Sequence, residues 1–206
     1  MARRLAPEVN AGSMADIAFL LLIFFLVSTT IETDYGISRK LPPSPEEEPV
    51  DIFIKEKNLF QVMINQQNEL FVEKAPMELK DLKEAAKAFL DNGGGKDTES
   101  CSYCKGEGNP KSSDNPQKAV ISLVNSRETS YETYIAVQNE LVKAYTELRN
   151  REALKMYGIS YSEMKYALKD VSRSKDKKLL KDRITKIQQM YPEKLSEAEP
   201  LESNNL

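Results

Sequence analysis

The chain has 206 residues, of which 30% are charged and 40% hydrophobic, enough for one ordinary domain and an anchor. Its net charge of -3 gives no case for a nucleic-acid partner. It contains no His, which excludes Ser-His-Asp and Cys-His catalytic arrangements and His-rich metal sites. Since no other catalytic set is evident, we expect neither an enzyme nor a bound cofactor.

The first predicted element is a transmembrane helix over residues 13–31. Residues 17–27 carry no polar group, and the flanking positions extend the segment to 19 residues. At about 1.5 Å per residue this is about 28 Å of helix, close to the roughly 30 Å hydrocarbon core of a bilayer. No second apolar segment of this length follows, so the sequence predicts a single-pass protein.

Residues 1–12 form a polar leader that includes Arg3 and Arg4. By the positive-inside rule these two arginines place the N-terminus in the cytoplasm and the rest of the chain outside the membrane. A cleaved signal peptide is the alternative. Two features favour an uncleaved anchor. Asp16 directly precedes the apolar run, and no Ala-x-Ala-like cleavage site follows it.

Asp16 is the carboxylate inside the predicted span. Acidic residues in membrane helices are costly and by default suggest a function, usually facing a partner helix or a water-filled path. The simpler interpretation places Asp16 at headgroup level, where a carboxylate suits the positive end of the helix dipole. The residues alone leave both open.

Residues 32–49 are rich in Pro and Glu and predict a hydrated, extended linker. Residues 50–198 predict an α+β domain with its helices on one face of the sheet, in the order β-β-β-α-β-α with extra C-terminal helical sequence. The predicted elements are strands at 50–55, 59–64 and 69–73, a helix with Pro76 in its first turn, a strand at 119–125, helices opened by capping boxes at Thr129 with Glu132 and at Ser160 with Glu163, and a strand at 194–198. Residues 199–206 read as a flexible tail.

An exposed insertion is predicted at residues 93–117, which hold five of the eight glycines and both cysteines. Cys101 and Cys104 form a C-x-x-C pair. A local disulfide or a free pair is favoured in an exported domain, ahead of a metal shared between two chains and of a redox role.

Residues 165–186 hold nine Lys or Arg against three Asp. This predicts a solvated helix face, with a docking surface as the alternative.

Three stretches carry a resemblance to a known family. They are Leu5-Ala6-Pro7-Glu8-Val9-Asn10, the run Met14-Ala15-Asp16-Ile17-Ala18-Phe19-Leu20-Leu21-Leu22-Ile23-Phe24-Phe25-Leu26-Val27, and the linker motif Leu41-Pro42. With the small α+β domain that follows, this layout resembles the ExbD/TolR family of biopolymer transport proteins. The chain departs from the family where Met14-Ala15 replaces the usual proline or small residue, in the cysteine-containing insertion, and after Tyr157.

The resemblance implies a subunit of a motor that uses the proton motive force in the bacterial inner membrane. Its helix would enter, as a dimer, a pentameric ExbB/TolQ-like channel protein, with Asp16 taking part in proton passage. The periplasmic domain would couple this to a TonB- or TolA-like protein that reaches the outer membrane. The alternatives are a membrane-anchored periplasmic binding module and a TolR-like role in envelope maintenance or cell-wall binding.

The residues also predict how the outer domain assembles. A proline-rich linker can lie extended and add a strand to an exposed sheet edge. We therefore expect the domain to dimerise or to accept a partner strand there.

Overall fold

The computed structural model describes residues 11–28, 54–170 and 174–198. The chain divides into two compact units, residues 1–50 and 51–206. The predicted linker at 32–49 and the tail at 199–206 lie outside the described residues, as does nearly all of the leader at 1–12.

The first unit contains helix α1 (Ala11–Ser28), which covers most of the predicted span. Its large apolar side chains are 42–69% exposed on every side of the helix, from Met14 to Leu26. No helix in the described part of the chain meets the combined length and hydropathy criteria for crossing a membrane.

The second unit is a five-stranded mixed sheet with four helices, which confirms the predicted α+β class. Its elements are β1 (Leu59–Ile64), β2 (Leu70–Val72), β3 (Ala75–Pro76), α2 (Leu79–Leu90), β4 (Val120–Asn125), α3 (Tyr131–Tyr157), α4 (Tyr161–Asp170), α5 (Ser174–Met190) and β5 (Leu195–Ala198). Short 3-10 helices lie at Glu56–Asn58 and Asp97–Glu99.

The strand order is β3-β2-β1-β4-β5. The pairs β1/β2 and β2/β3 are antiparallel, whereas β1/β4 and β4/β5 are parallel. The parallel pairs need crossovers, which α2 and α3–α5 supply. Two short strands therefore form one edge of the sheet, and β5 forms the other.

One face of the sheet is buried, because successive strand residues point to opposite sides. In β1, Phe60, Val62 and Ile64 are buried, whereas Met63 is 45% exposed. Helices α2 and α3 cover the buried side and contribute Leu82, Ala86, Phe89, Val137, Leu141 and Tyr145 to its core. This is the predicted arrangement of helices on one face.

The C-terminal part of α3 packs with α4 and α5 around a second, smaller core formed by Ala153, Tyr161, Met164, Ile184 and Ile187. α3 ends at Gly158, which has φ +69° and donates its N–H to the carbonyl of Leu154 at 2.9 Å. Glycine adopts this left-handed conformation at the lowest steric cost because it has no Cβ. The turn lets α4 fold back against α3.

Two predicted boundaries are wrong. Of the predicted strand at 50–55, residues 50–53 lie outside the described part. Ile54 and Lys55 are not in a strand, because the N–H of Asn58 bonds the carbonyl of Lys55 and closes a 3-10 turn. Pro76 is not in a helix but in the edge strand β3, paired with Phe71. A proline suits an edge because it has no N–H to donate.

The two predicted capping boxes differ in outcome. At Ser160 the box is confirmed: its hydroxyl accepts from the N–H of Glu163, and the Glu163 carboxylate accepts from the N–H of Ser160. The box at Thr129 is wrong, because the N-cap of α3 is Ser130, whose hydroxyl accepts from the N–H of Thr133 at 3.2 Å. The Thr129 hydroxyl donates instead to the carbonyl of Asn65.

Candidate functional site

Asp16 lies in the second turn of α1 and is the one charged side chain among residues 11–26. Phe19, Leu20 and Ile23 follow it at helical spacing, so the carboxylate lies at the end of an apolar stripe. All of these side chains are exposed. α1 therefore presents a single acid to whatever surrounds the helix.

Small residues lie beside this carboxylate. Gly12 and Ser13 precede Asp16 by one helical turn, and Ala15 is adjacent to it. Small side chains let a second helix approach closely. The described part of α1 thus places one carboxylate next to a position where the helix surface is narrow.

Leu41 and Pro42, the predicted linker motif, lie outside the described residues. The structure therefore does not place them relative to any other residue.

Cys101 and Cys104 are joined in a disulfide, with their Cα atoms 5.5 Å apart. Between them, the Tyr103 hydroxyl donates to the carbonyl of Met190 at 2.7 Å, and its ring stacks edge-on against Tyr191 at 5.4 Å. The disulfide turn therefore attaches the insertion to the end of α5. Within the described residues, no group of three or more His, Cys, Asp or Glu side chains could hold a metal ion.

The insertion at 93–117 is only partly exposed, which corrects the prediction. Residues 105–111 are exposed, whereas Ser113 and Asp114 are buried. The Asp114 carboxylate accepts from the Asn58 amide at 3.1 Å and pairs with Lys57. Burial opposes its ionisation, but these bonds outweigh it and hold the pKa of Asp114 below its usual value.

A second buried network connects three distant segments. The Asp91 carboxylate, just after α2, accepts two bonds from the Arg151 guanidinium, at 2.5 and 2.8 Å, and one from the Tyr191 hydroxyl at 2.7 Å. Burial raises the pKa of Asp91, but the bonds from Arg151 and Tyr191 outweigh it, so the pKa lies below its usual value. The network fixes the end of α2 and α3 to the residues that lead into β5.

The two edges of the sheet differ in what they offer a partner. β3 has two residues, and Pro76 has no N–H, so this edge is blunted. β5 has four residues and no proline, and no described strand pairs with its outer side. β5 also contacts α3 through a side chain. The Glu197 carboxylate accepts hydrogen bonds from the Gln138 amide at 2.9 Å and from the Tyr134 hydroxyl. Among the described strands, β5 therefore forms the longer edge of the sheet and the one without a proline.

The sequence analysis missed the residues of the buried network. Asp91 and Arg151 are 60 positions apart, and Asp91 and Tyr191 are 100 apart. Their side chains show no motif or spacing, so no local signal could have joined them. A buried pairing of this kind follows only from the fold.

The comparison with protein families gives a match over most of the chain. The family model described as "Biopolymer transport protein ExbD/TolR" matches residues 2–151, more than two thirds of the 206 residues. The matched part includes α1 with Asp16, strands β1–β4, α2, the disulfide and most of α3. Helices α4 and α5 and strand β5 follow it. No curated protein matches the chain significantly.

Proposed function

Since the chain belongs to the ExbD/TolR family of biopolymer transport proteins, we propose that it is the anchored subunit of a proton-driven motor in the bacterial inner membrane. The family assigns it a role in energy transduction for biopolymer transport, and members of the family are not enzymes. The observation that carries the finer proposal is Asp16, a single acid on a helix that is otherwise apolar among residues 14–26.

The anchor is α1. Its 18 residues are about 27 Å long at about 1.5 Å per residue, near the roughly 30 Å of a hydrocarbon core. A helix that is apolar all round belongs inside a protein or a membrane, and the large side chains of α1 are at least 42% exposed within its own unit. Lipid and partner helices would cover them.

A proton path needs more than this helix. A lone helix cannot enclose a path, and a carboxylate in lipid costs a few kcal/mol without a partner. We propose that two copies of α1 enter an ExbB/TolQ-like pentamer, whose helices form the other wall around Asp16. Gly12 and Ser13, one turn before it, would let those helices approach.

The second unit would lie in the periplasm. Arg3 and Arg4 favour a cytoplasmic N-terminus, and the Cys101–Cys104 disulfide suits an oxidising compartment. There the unit would pass motion to a TonB- or TolA-like protein. The outer edge of β5, with which no strand in the described part of the chain pairs, is the site we propose for strand addition by that protein or by the second copy.

Co-purification tests the assembly. When the full chain is extracted in a mild detergent, we expect a multi-span ExbB-like protein to elute with it as a pentamer with a dimer of this chain, as measured by native mass spectrometry. The same preparation after Asp16→Asn should keep the stoichiometry, because Asn preserves the shape of the side chain. A chain that elutes alone under conditions that preserve membrane complexes would contradict the proposal.

A further inference from the structure

The disulfide turn of the insertion, residues 101–104, lies at the surface of the second unit. Ser102 is exposed, and Cys101, Tyr103 and Cys104 are each partly exposed. The turn leads directly into the exposed residues 105–111. Disulfides that solvent can reach exchange with thiols more readily than those enclosed in a core. An external thiolate can therefore approach this disulfide without prior unfolding of the unit.

The insertion is held in place by bonds that do not involve the cysteines. The N–H of Gly94 donates to the carbonyl of Ser113 at 2.9 Å, and the Asn92 amide donates to the same oxygen at 2.7 Å. The N–H of Gly106 donates to the carbonyl of Asp91 at 2.9 Å. A ring of four residues also constrains the unfolded chain much less than a long loop does. We therefore expect the second unit to stay folded when the disulfide is reduced.

The two sulfur atoms of the disulfide are not equivalent. The N–H of Cys104 donates to Sγ of Cys101 at 3.1 Å. A hydrogen bond from an N–H favours a thiolate over a thiol, and the sulfur that forms the more stable thiolate is the better leaving group in disulfide exchange. Attack by an external thiolate should therefore occur at Sγ of Cys104 and release Cys101 as a thiolate.

Tyr103 connects the disulfide ring to the rest of the unit. Its hydroxyl donates to the carbonyl of Met190 at the end of α5, 2.7 Å away, and its ring packs edge-on against Tyr191. The closed disulfide ring restricts the backbone of Tyr103 to an arrangement that reaches these groups. Once the S–S bond is open, the same contacts cost more conformational entropy. The redox state of the cysteines and the docking of Tyr103 are therefore coupled, and the coupling is reciprocal.

We propose that Cys101 and Cys104 form an exchangeable disulfide whose reduction releases Tyr103 from the end of α5. The reductant is a dithiol protein of the thioredoxin class. Its first thiolate attacks Sγ of Cys104, the S–S bond breaks, and a mixed disulfide forms while Cys101 leaves as a thiolate. The second thiol of the reductant, as a thiolate, then breaks the mixed disulfide. Two electrons and two protons pass to the cysteine pair, and the reductant becomes a disulfide.

The test uses the full chain in a non-ionic detergent and does not depend on the proposed motor. The chain has two cysteines, so every thiol that appears on reduction belongs to this pair. The oxidised chain is equilibrated with glutathione buffers of graded ratio, and the free thiols are alkylated and counted by mass spectrometry. Far-UV circular dichroism reports whether the chain is folded.

The attacked sulfur is identified in a parallel reaction. A thioredoxin whose second active-site cysteine is replaced by serine cannot complete the exchange, so the mixed disulfide accumulates. The mixture is quenched in acid and alkylated, and peptide mass spectrometry shows which cysteine carries the thioredoxin and which carries the alkyl group.

We expect the chain to pass from oxidised to reduced within the range of the glutathione buffers and to keep its far-UV spectrum. Thioredoxin should be trapped on Cys104 in about threefold excess or more over Cys101. The reason is that a hydrogen bond to a charged group favours the thiolate by about tenfold, and only part of this preference appears in the exchange rate.

Two variants test the coupling to Tyr103. Tyr103→Phe loses the bond to the carbonyl of Met190 and should shift the equilibrium constant for reduction toward the dithiol by up to about fivefold, the worth of one hydrogen bond. Ser102→Ala changes an exposed residue of the same ring. It is the matched control and should leave the equilibrium constant unchanged.

Three results would overturn the inference. A disulfide that stays oxidised in every glutathione buffer, or that is reduced only when the far-UV spectrum is lost, is a structural crosslink. Thioredoxin trapped mainly on Cys101 contradicts the assigned leaving group. An equilibrium constant that is the same for Tyr103→Phe and the parent shows that reduction does not release Tyr103.

Discussion

Asp91→Ala tests whether the buried network holds the second unit together. The substitution removes a carboxylate that accepts three hydrogen bonds and leaves the Arg151 guanidinium and the Tyr191 hydroxyl without it. Removal of one partner from a buried ion pair costs about 3–5 kcal/mol. Because the Arg151 side chain is 27% exposed and keeps its bond to Glu152, we expect the lower end, a loss of about 3 kcal/mol in the free energy of unfolding.

The same carboxylate gives the effect a pH dependence. The pKa of Asp91 is lower in the folded protein than its ordinary value of 3.8. Its stabilising contribution is therefore fully present above that value and is lost as the pH falls below it, through the folded-state pKa. The parent should lose stability more steeply than Asp91→Ala in that acid range, so the difference between the two should shrink there.

The measurement is urea unfolding of the full chain in non-ionic detergent, followed by tyrosine circular dichroism. Lys80→Ala is the matched control: it breaks the ion pair with Glu78, whose two side chains are each 72% exposed, and should change stability by less than about 0.5 kcal/mol. A loss for Asp91→Ala no larger than that of the control would refute the network as a stabilising element.

Three further tests address local features by the same unfolding assay. Leu141→Ala should lower the free energy of unfolding by about 2–5 kcal/mol, because Leu141 is fully buried in the core. Leu154→Ala, on the exposed side of the same helix, should lower it far less. Similar losses for the two variants would contradict the packing described. Ser130→Ala should cost about 1 kcal/mol through loss of the N-cap of α3, and no loss would show that another group caps the helix. Conversion of both Cys101 and Cys104 to Ser should cost about 2 kcal/mol by the chain-entropy estimate for a four-residue loop, and a stability equal to the parent would show that the insertion is held without it.

Much of the second unit was predictable from periodicity. The central strands β1 and β4 were predicted from a β-rich run at 59–64 and a short apolar run at 119–125, and the core face of α3 from helical spacing. Residues such as Val137, Leu141 and Tyr145 recur at the interval that a packed helix needs, and the structure buries all three. From residue 59 onward the order of strands and helices was therefore inferred without knowledge of any long-range contact, except for β3, whose Pro76 was predicted in the first turn of a helix.

The failures have physical causes. Pro76 is compatible with a helix start and with an edge strand, and only pairing with Phe71 decides between them. Thr129 and Ser130 are adjacent residues that both carry a hydroxyl. The Thr129 hydroxyl donates to the carbonyl of Asn65, which is far away in the chain, so it does not cap the helix. The insertion was predicted to be exposed from its composition, but Asp114 is buried because Lys57 compensates its charge and the Asn58 amide donates a hydrogen bond to it. For Thr129 and Asp114 a contact distant in sequence determined the outcome, whereas Pro76 pairs with a residue only five positions away.

The candidate site was located by sequence more readily than the rest of the fold. A single carboxylate in an apolar run is visible without any structure, so Asp16 needed only the pattern of residues 14–27. The position of β5 at the edge of the described sheet could not be identified in this way, because the strand order is not local. The basic stretch at 165–186 was visible as composition.

The most direct test of the proposed motor is Asp16→Asn in cells. The variant should be made, inserted and assembled at the level of the parent, yet lose uptake or envelope integrity that depends on the proton motive force, since the amide cannot carry a proton. Asp16→Glu, which still titrates but moves the carboxyl by one methylene, should retain partial or no activity. Asn caps a helix about as well as Asp, so parental activity of Asp16→Asn at matched expression would show that Asp16 is a helix cap at the membrane surface and would contradict the proton role.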